Sequence, residues 1–291
     1  MKKKKKKKKY FLLILFMIGI LLGVRLFREK NEIVNNKEIL NIILKSTMKE
    51  ETFLPRIVVK HKIFESPIRL LKEDYQEVMK EEKKGLSPII YIYNSHPTEE
   101  YQKNTLGEYI LNPTVRINNY ILEDIFNKKG YQTLVEEASV KDILDNNQWN
   151  YSYSYKASRM LMENAIELHP TLKYFIDIHR DSLEKDRTSI KIDNREYAKI
   201  LFIIGLENEN YQENLDFTER INEKIEEYYP GLSKGIYKKE GPGVNGIYNQ
   251  DFSNRTILIE IGGYENTTTE VLNTSLAFSK CFLEVIYEEN C

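Results

Sequence analysis

Apolar positions follow three successive patterns along the 291 residues. Tyr10 to Val24 runs fifteen residues without a charge, and the apolar stretch continues to Phe27 past Arg25. From Tyr10 to Phe27 it would measure about 27 Å as a helix at 1.5 Å per residue. That nearly matches a hydrocarbon core of roughly 30 Å, with Arg25 able to snorkel to the interface. The pattern predicts a transmembrane helix over 10–27. Residues 28–86 are charged and mixed, with helical spacing near 36–50 and 68–84 broken by Pro55 and Pro67. They predict a juxtamembrane stalk and a small structured lead-in.

From residue 87 the spacing becomes that of a folded domain, expected over 87–291. Ile89-Ile90-Tyr91-Ile92-Tyr93 is β-branched and aromatic, which predicts a buried strand. Val115, Ile117, Tyr120, Ile121, Ile125 and Phe126 repeat at helical intervals before Gly130, predicting a helix over 114–129. Further strands are expected at 131–135, 172–178 and 256–261, with 190–192 and 199–204 forming another pair. Further helices are expected at 153–168, before His169-Pro170, at 210–228, before Pro230-Gly231, and at 267–288. Strands alternating with long helices imply an α/β fold, a mostly parallel sheet flanked by helices.

Charge fixes the topology. Ten of the 43 basic residues lie in the first 28 positions (Lys2 to Lys9, Arg25, Arg28), where no acid occurs. The lysine run should remain cytoplasmic as a tail over 1–9, which places the rest of the chain outside the cell membrane. A cleaved signal peptide is the rival reading, but no A-x-A-like site follows the apolar stretch. The remainder holds 33 basic against 44 acidic residues, a balance that argues against nucleic acid as a partner. Cys281 and Cys291, ten residues apart, make neither a disulfide framework nor a thiolate zinc site.

Chemistry in such sheets gathers beyond the carboxyl ends of the strands. Two of the chain's four histidines, His96 and His179, follow expected strands, and Glu260 interrupts an apolar one. His61 has no companion at ligand spacing. A catalytic zinc takes three His or carboxylate ligands and leaves a fourth position for water, and a further carboxylate serves as general base. His96, Glu99 and His179 supply the ligands, and Glu260 the base. A carboxylate in an apolar strand costs several kcal/mol unless a charge compensates it.

Tyr93-Asn94-Ser95-His96-Pro97-Thr98-Glu99-Glu100-Tyr101, Phe175-Ile176-Asp177-Ile178-His179-Arg180-Asp181-Ser182, Gly246-Ile247-Tyr248-Asn249-Gln250-Asp251 and Ile257 to Thr267 occur in this order. With the basic, apolar N-terminus, this set resembles the stage II sporulation protein P family over roughly 87–288. The resemblance implies a fold similar to zinc N-acetylmuramoyl-L-alanine amidases. It implies a peptidoglycan substrate, cleavage of the amide joining glycan to stem peptide, and endopeptidase activity on crosslinks. It also implies work in engulfment with stage II sporulation proteins D and M. His96 and His179 match the family's zinc ligands, Glu260 its catalytic carboxylate, and Glu99 its acid three residues after the first histidine. Pro97 stands where the family commonly has a small polar residue, so Glu100 remains an alternative to Glu99.

Arg180 is expected to bind substrate, at a peptide carboxylate or the oxyanion, or else to pair with Asp181. Tyr101 and Tyr248 are expected to stack against sugar or peptide. Asp177, on the strand face opposite Ile176 and Ile178, either orients a ligand or caps structure. A catalytically silent wall-binding scaffold is the competing function, against which the intact ligands and base argue.

Overall fold

The structure, a computed structural model, describes residues 32–34, 36–37, 87–106 and 109–290. The expected anchor at 10–27, nearly all of the stalk, and Cys291 lie outside the described residues. Among the described residues, no helix is long and apolar enough to cross a membrane.

In chain order the strands are β1 (Glu32–Val34), β2 (Ile90–Tyr93), β3 (Asn104–Leu106), β4 (Tyr109–Leu111), β5 (Thr133–Val135), β6 (Tyr174–Asp181), β7 (Ser189–Ile192), β8 (Arg195–Ala198), β9 (Ile200–Gly205), β10 (Ser233–Lys239) and β11 (Thr256–Gly263). The helices are α1 (Arg116–Lys128), α2 (Val140–Asn146), α3 (Ser154–Leu168), α4 (Lys185–Thr188), α5 (Tyr211–Tyr228) and α6 (Thr268–Glu288). A six-stranded sheet in the order β10-β9-β11-β6-β2-β5 forms the centre. Its pairings are parallel except β11 with β9, where the block of β10 and β9 reverses. The sheet is therefore mixed but mostly parallel, as the alternation of strands and helices implies.

Period-two alternation sorts the strands onto two faces. Ile90, Ile92, Ile176, Ile178, Ile257, Ile259 and Ile261 join the large core with residues of α1, α5 and α6. On the other face Tyr91, Tyr93 and Phe175 pack against Met162 and Ala165 of α3. The long C-terminal helix starts cleanly because Thr267 and Glu270 form a reciprocal capping box.

Three expectations change. Residues 190–192 do not pair with 199–204: β7 forms a separate two-stranded hairpin with β8, while β9 enters the central sheet. Strand β10 has no counterpart in the apolar pattern, because Ser233–Lys239 is a polar, half-exposed edge strand. Strands β6 and β11 also run on past His179 and Glu260, so both residues sit inside strands rather than at their ends. The lead-in is not wholly separate from the domain, since β1 pairs with β4 and Thr114 exchanges hydrogen bonds with Asn36.

Candidate functional site

Register places the key side chains. In the parallel pairing of β11 with β6, Glu260 stands opposite His179 and Leu258 opposite Asp177. Side chains in register share a face, so Asp177, His179 and Glu260 all project toward the side covered by α3. Just beyond Glu260 the register shifts at Gly262, whose φ of 65° suits glycine. A bulge of this kind re-aims the strand end beside a site.

His96 and Glu99 come from the loop after β2. A turn closed by the Glu99 N–H on the His96 carbonyl, at 3.3 Å, brings both side chains to one side. Glu99 then spans the two histidines, with Oε1 at 3.8 Å from His96 Nδ1 and Oε2 at 3.4 Å from His179 Nδ1. The Arg180 N–H donates to Glu99 Oε2 at 3.0 Å and steadies this bridge. His96 and His179 meet edge to face with centroids 5.0 Å apart.

Behind them lies Asp177, fully buried. It accepts from the Ser95 N–H at 2.9 Å and the Ser95 hydroxyl at 2.7 Å, and its Oδ1 is 3.1 Å from His179 Nε2. One carboxylate thus holds the His179 ring and, through Ser95, the start of the His96 loop. A carboxylate on Nε2 directs Nδ1 toward Glu99, the arrangement by which a ligand histidine is oriented. Of the two earlier readings of Asp177, this geometry fits the orienting one.

Electrostatics follow from these contacts. Burial draws His179 down, but the charge and hydrogen bond of Asp177, then Glu99, outweigh it and push the imidazole up to about 10. His96 is held below the usual imidazole range, first by burial and then by His179. Glu260 is raised, first by burial and then by the charge of Asp181. The negative field of Asp177 and Glu99 stabilises positive charge at this position, and a cation bound there would compete with the proton on His179.

The donor set fits zinc. The ligating atoms of His96, Glu99 and His179 all lie within 4.8 Å of one another. Ligands about 2.0–2.2 Å from a tetrahedral zinc are separated by roughly 3.3–3.5 Å, so small adjustments suffice. Glu100 stays outside the cluster: it is exposed, accepts from Asn112 at 3.0 Å and faces Lys103 at 3.8 Å.

The substrate-contact expectations need correction. Tyr101 is 2% exposed, with its hydroxyl donating to the Ile261 carbonyl and accepting from Asn118, so it has no face to offer a ligand. Tyr248 is also buried, packed edge-on against Tyr155. Arg180 donates to the backbone carbonyls of Glu100 at 2.7 Å and Asp181 at 3.0 Å, bracing the Glu99 loop. It does not form the alternative ion pair with Asp181, whose carboxylate pairs with Lys234 at 2.6 Å. The aromatic residues that do reach the cluster are Tyr151, stacked on His96 at 4.8 Å, and Tyr155, edge-on to His96 at 5.4 Å. Among twenty tyrosines nothing in their spacing singled these out.

The family model for stage II sporulation protein P (SpoIIP) matches residues 27–283. A stage II sporulation protein P of Bacillus subtilis is 32% identical over 212 residues, covering 70% of this chain and 52% of the relative. The chain therefore spans about half the length of that relative. Among solved structures, the N-acetylmuramoyl-L-alanine amidase AmiC2 of Nostoc punctiforme matches 70% of this chain and 99% of its own at 13% identity, with a TM-score of 0.41. The CwlD amidase from Clostridioides difficile, solved in complex with the GerS lipoprotein, covers 69% of this chain and 97% of its own at 10% identity, with a TM-score of 0.45. Likenesses this loose leave the site to be read from its own residues.

Proposed function

Because the chain belongs to the stage II sporulation protein P family, we propose that it is a membrane-anchored, zinc-dependent peptidoglycan hydrolase. Its reaction in this reading is cleavage of the amide between N-acetylmuramic acid and the L-alanine of the stem peptide, with crosslink endopeptidase activity beside it, during engulfment. The observation that carries the proposal is the convergence of His96, Glu99 and His179 from two separate elements, with Glu260 in register beside His179. The lysine-flanked apolar stretch at 10–27 supports an extracytoplasmic domain tethered by a single span.

His96, Glu99 and His179 would hold the zinc, which supplies Lewis-acid polarisation of the scissile carbonyl and a more acidic attacking water. Glu260 would act as the general base, taking a proton from the attacking water and returning it to the leaving amine of L-alanine. Its burial suits the task, because a carboxylate with raised proton affinity is a stronger base. Asp177 keeps the His179 ring turned, and Tyr151 and Tyr155 shield His96 from bulk water.

Mass spectrometry of muropeptides, after digestion of peptidoglycan by the full-length protein with and without a chelator, tests this reading. The expected products are peptide-free glycan and peptides beginning with L-alanine, abolished by chelation and restored by zinc. Cleavage confined to crosslinks would make the protein an endopeptidase instead. Absence of products would make it a non-catalytic wall-binding protein.

A further inference from the structure

A cavity of about 350 Å³ opens beside His96, and we infer that it is a saccharide subsite for the glycan side of the substrate. The inference rests on the hydrolase reading above and says which half of the substrate lies here. Its walls include Pro97 and Thr98 from the ligand loop, and Trp149 and Tyr151 from the segment before α3. Tyr151 is 53% exposed while one face of its ring lies on His96. A ligand against Tyr151 is thus one ring away from the candidate metal ligands. Trp149 is held in place by Tyr153, stacked at 5.5 Å, and by Lys156, 4.2 Å over the indole. Pro97 is part of this wall, and its fixed φ stiffens it.

Charge selects the occupant. Lys141 and Asp145, the ionic groups lining the cavity, pair with each other, so the cavity presents no net charge. The two sides of the scissile amide differ in this respect. The stem peptide carries free carboxylates, whereas the muramic acid carboxyl is consumed in the amide and the sugar is neutral. A pyranose also offers a flat C–H face for aromatic rings and a rim of hydroxyls for polar groups at the mouth. Aromatic walls with a few polar groups are the usual make-up of such sites.

Trp149 is the chain's single tryptophan, so its emission reports occupancy of the cavity directly. Full-length protein in detergent is titrated with a peptide-free tetrasaccharide of β-1,4-linked N-acetylglucosamine, and separately with free stem peptide. The saccharide should give a saturable emission change and the peptide none. Tyr151→Leu should weaken saccharide binding by about 2–10-fold, the range for losing one aromatic contact. A saturable response to the peptide alone, or to neither ligand, would overturn the subsite. The titration needs no turnover, so the two readings fail separately. Saccharide binding without cleavage would sink the hydrolase and leave the subsite. Cleavage without any saccharide-dependent emission would sink the subsite alone.

Discussion

At the end of α6, Glu289 accepts from Arg220 at 2.8 Å, Arg255 at 2.9 Å and the Tyr174 hydroxyl at 3.1 Å. Next to it, Lys224 bridges Glu284 at 2.7 Å and Glu288 at 3.0 Å. On the opposite face of the sheet, Glu99 lies between two imidazoles, Asp177 contacts that of His179, Glu260 stands in register beside His179, and Lys234 is bound to Asp181. Both clusters are acidic, yet they titrate in opposite directions. Burial works to raise Glu289, but Arg255 outweighs it and holds the carboxyl below its usual range. Burial and then Asp181 raise Glu260, whereas Asp177 and then Glu99 drive His179 up against its burial. The carboxylates of the first cluster are already matched by cations of the fold, whereas those around the imidazoles leave donors that a bound cation would satisfy.

Substitutions should respect that division. The largest effect is expected for Glu260→Gln, which keeps the shape but cannot accept a proton. Turnover on peptidoglycan should fall by about 10²–10⁴-fold, while zinc content, measured by elemental analysis, stays unchanged. If zinc were lost in Glu260→Gln and retained in Glu99→Gln, the two glutamates would exchange roles. Asp177→Asn comes next. The amide still fills the space below His179 but no longer offers two charged acceptors, so zinc affinity in a chelator competition should drop about 10–100-fold. Unchanged affinity would reduce Asp177 to a structural residue.

The paired cluster should behave differently. Glu289→Gln should cost about 1–3 kcal/mol of stability and leave turnover alone. Because the folded-state value of Glu289 lies below its unfolded value, the stabilisation is present above the unfolded pKa. It is lost as pH falls through the folded one. Thermal melts should accordingly show the wild type losing its advantage over Glu289→Gln in acid. An advantage independent of pH would remove charge from the explanation.

The parts of this contrast were unequally legible in the sequence. Strands β2, β6 and β11 announce themselves because central parallel strands are apolar on both faces, and His96, His179 and Glu260 stand out against them. Edge strand β10, Ser-Lys-Gly-Ile-Tyr-Lys-Lys, carries no such signal, since half of it faces solvent. The pairing of β7 with β8 depends on a turn at Asp193 and Asn194, both with positive φ, that hydrophobic spacing does not report. Tyr101 and Tyr248 were drawn into the site by proximity in sequence to its motifs, whereas burial decides what a tyrosine does. Tyr151 and Ser95 become visible only when the loop after β2 folds against the segment before α3 and against Asp177 of β6.

Elemental analysis of the full-length protein and of His96→Ala and His179→Ala tests most directly whether the second cluster is a cation site. One zinc per chain in the wild type, with loss from both variants at unchanged fold, is the predicted result. Full zinc occupancy in both variants, or none in the wild type after growth and dialysis in zinc, would contradict it.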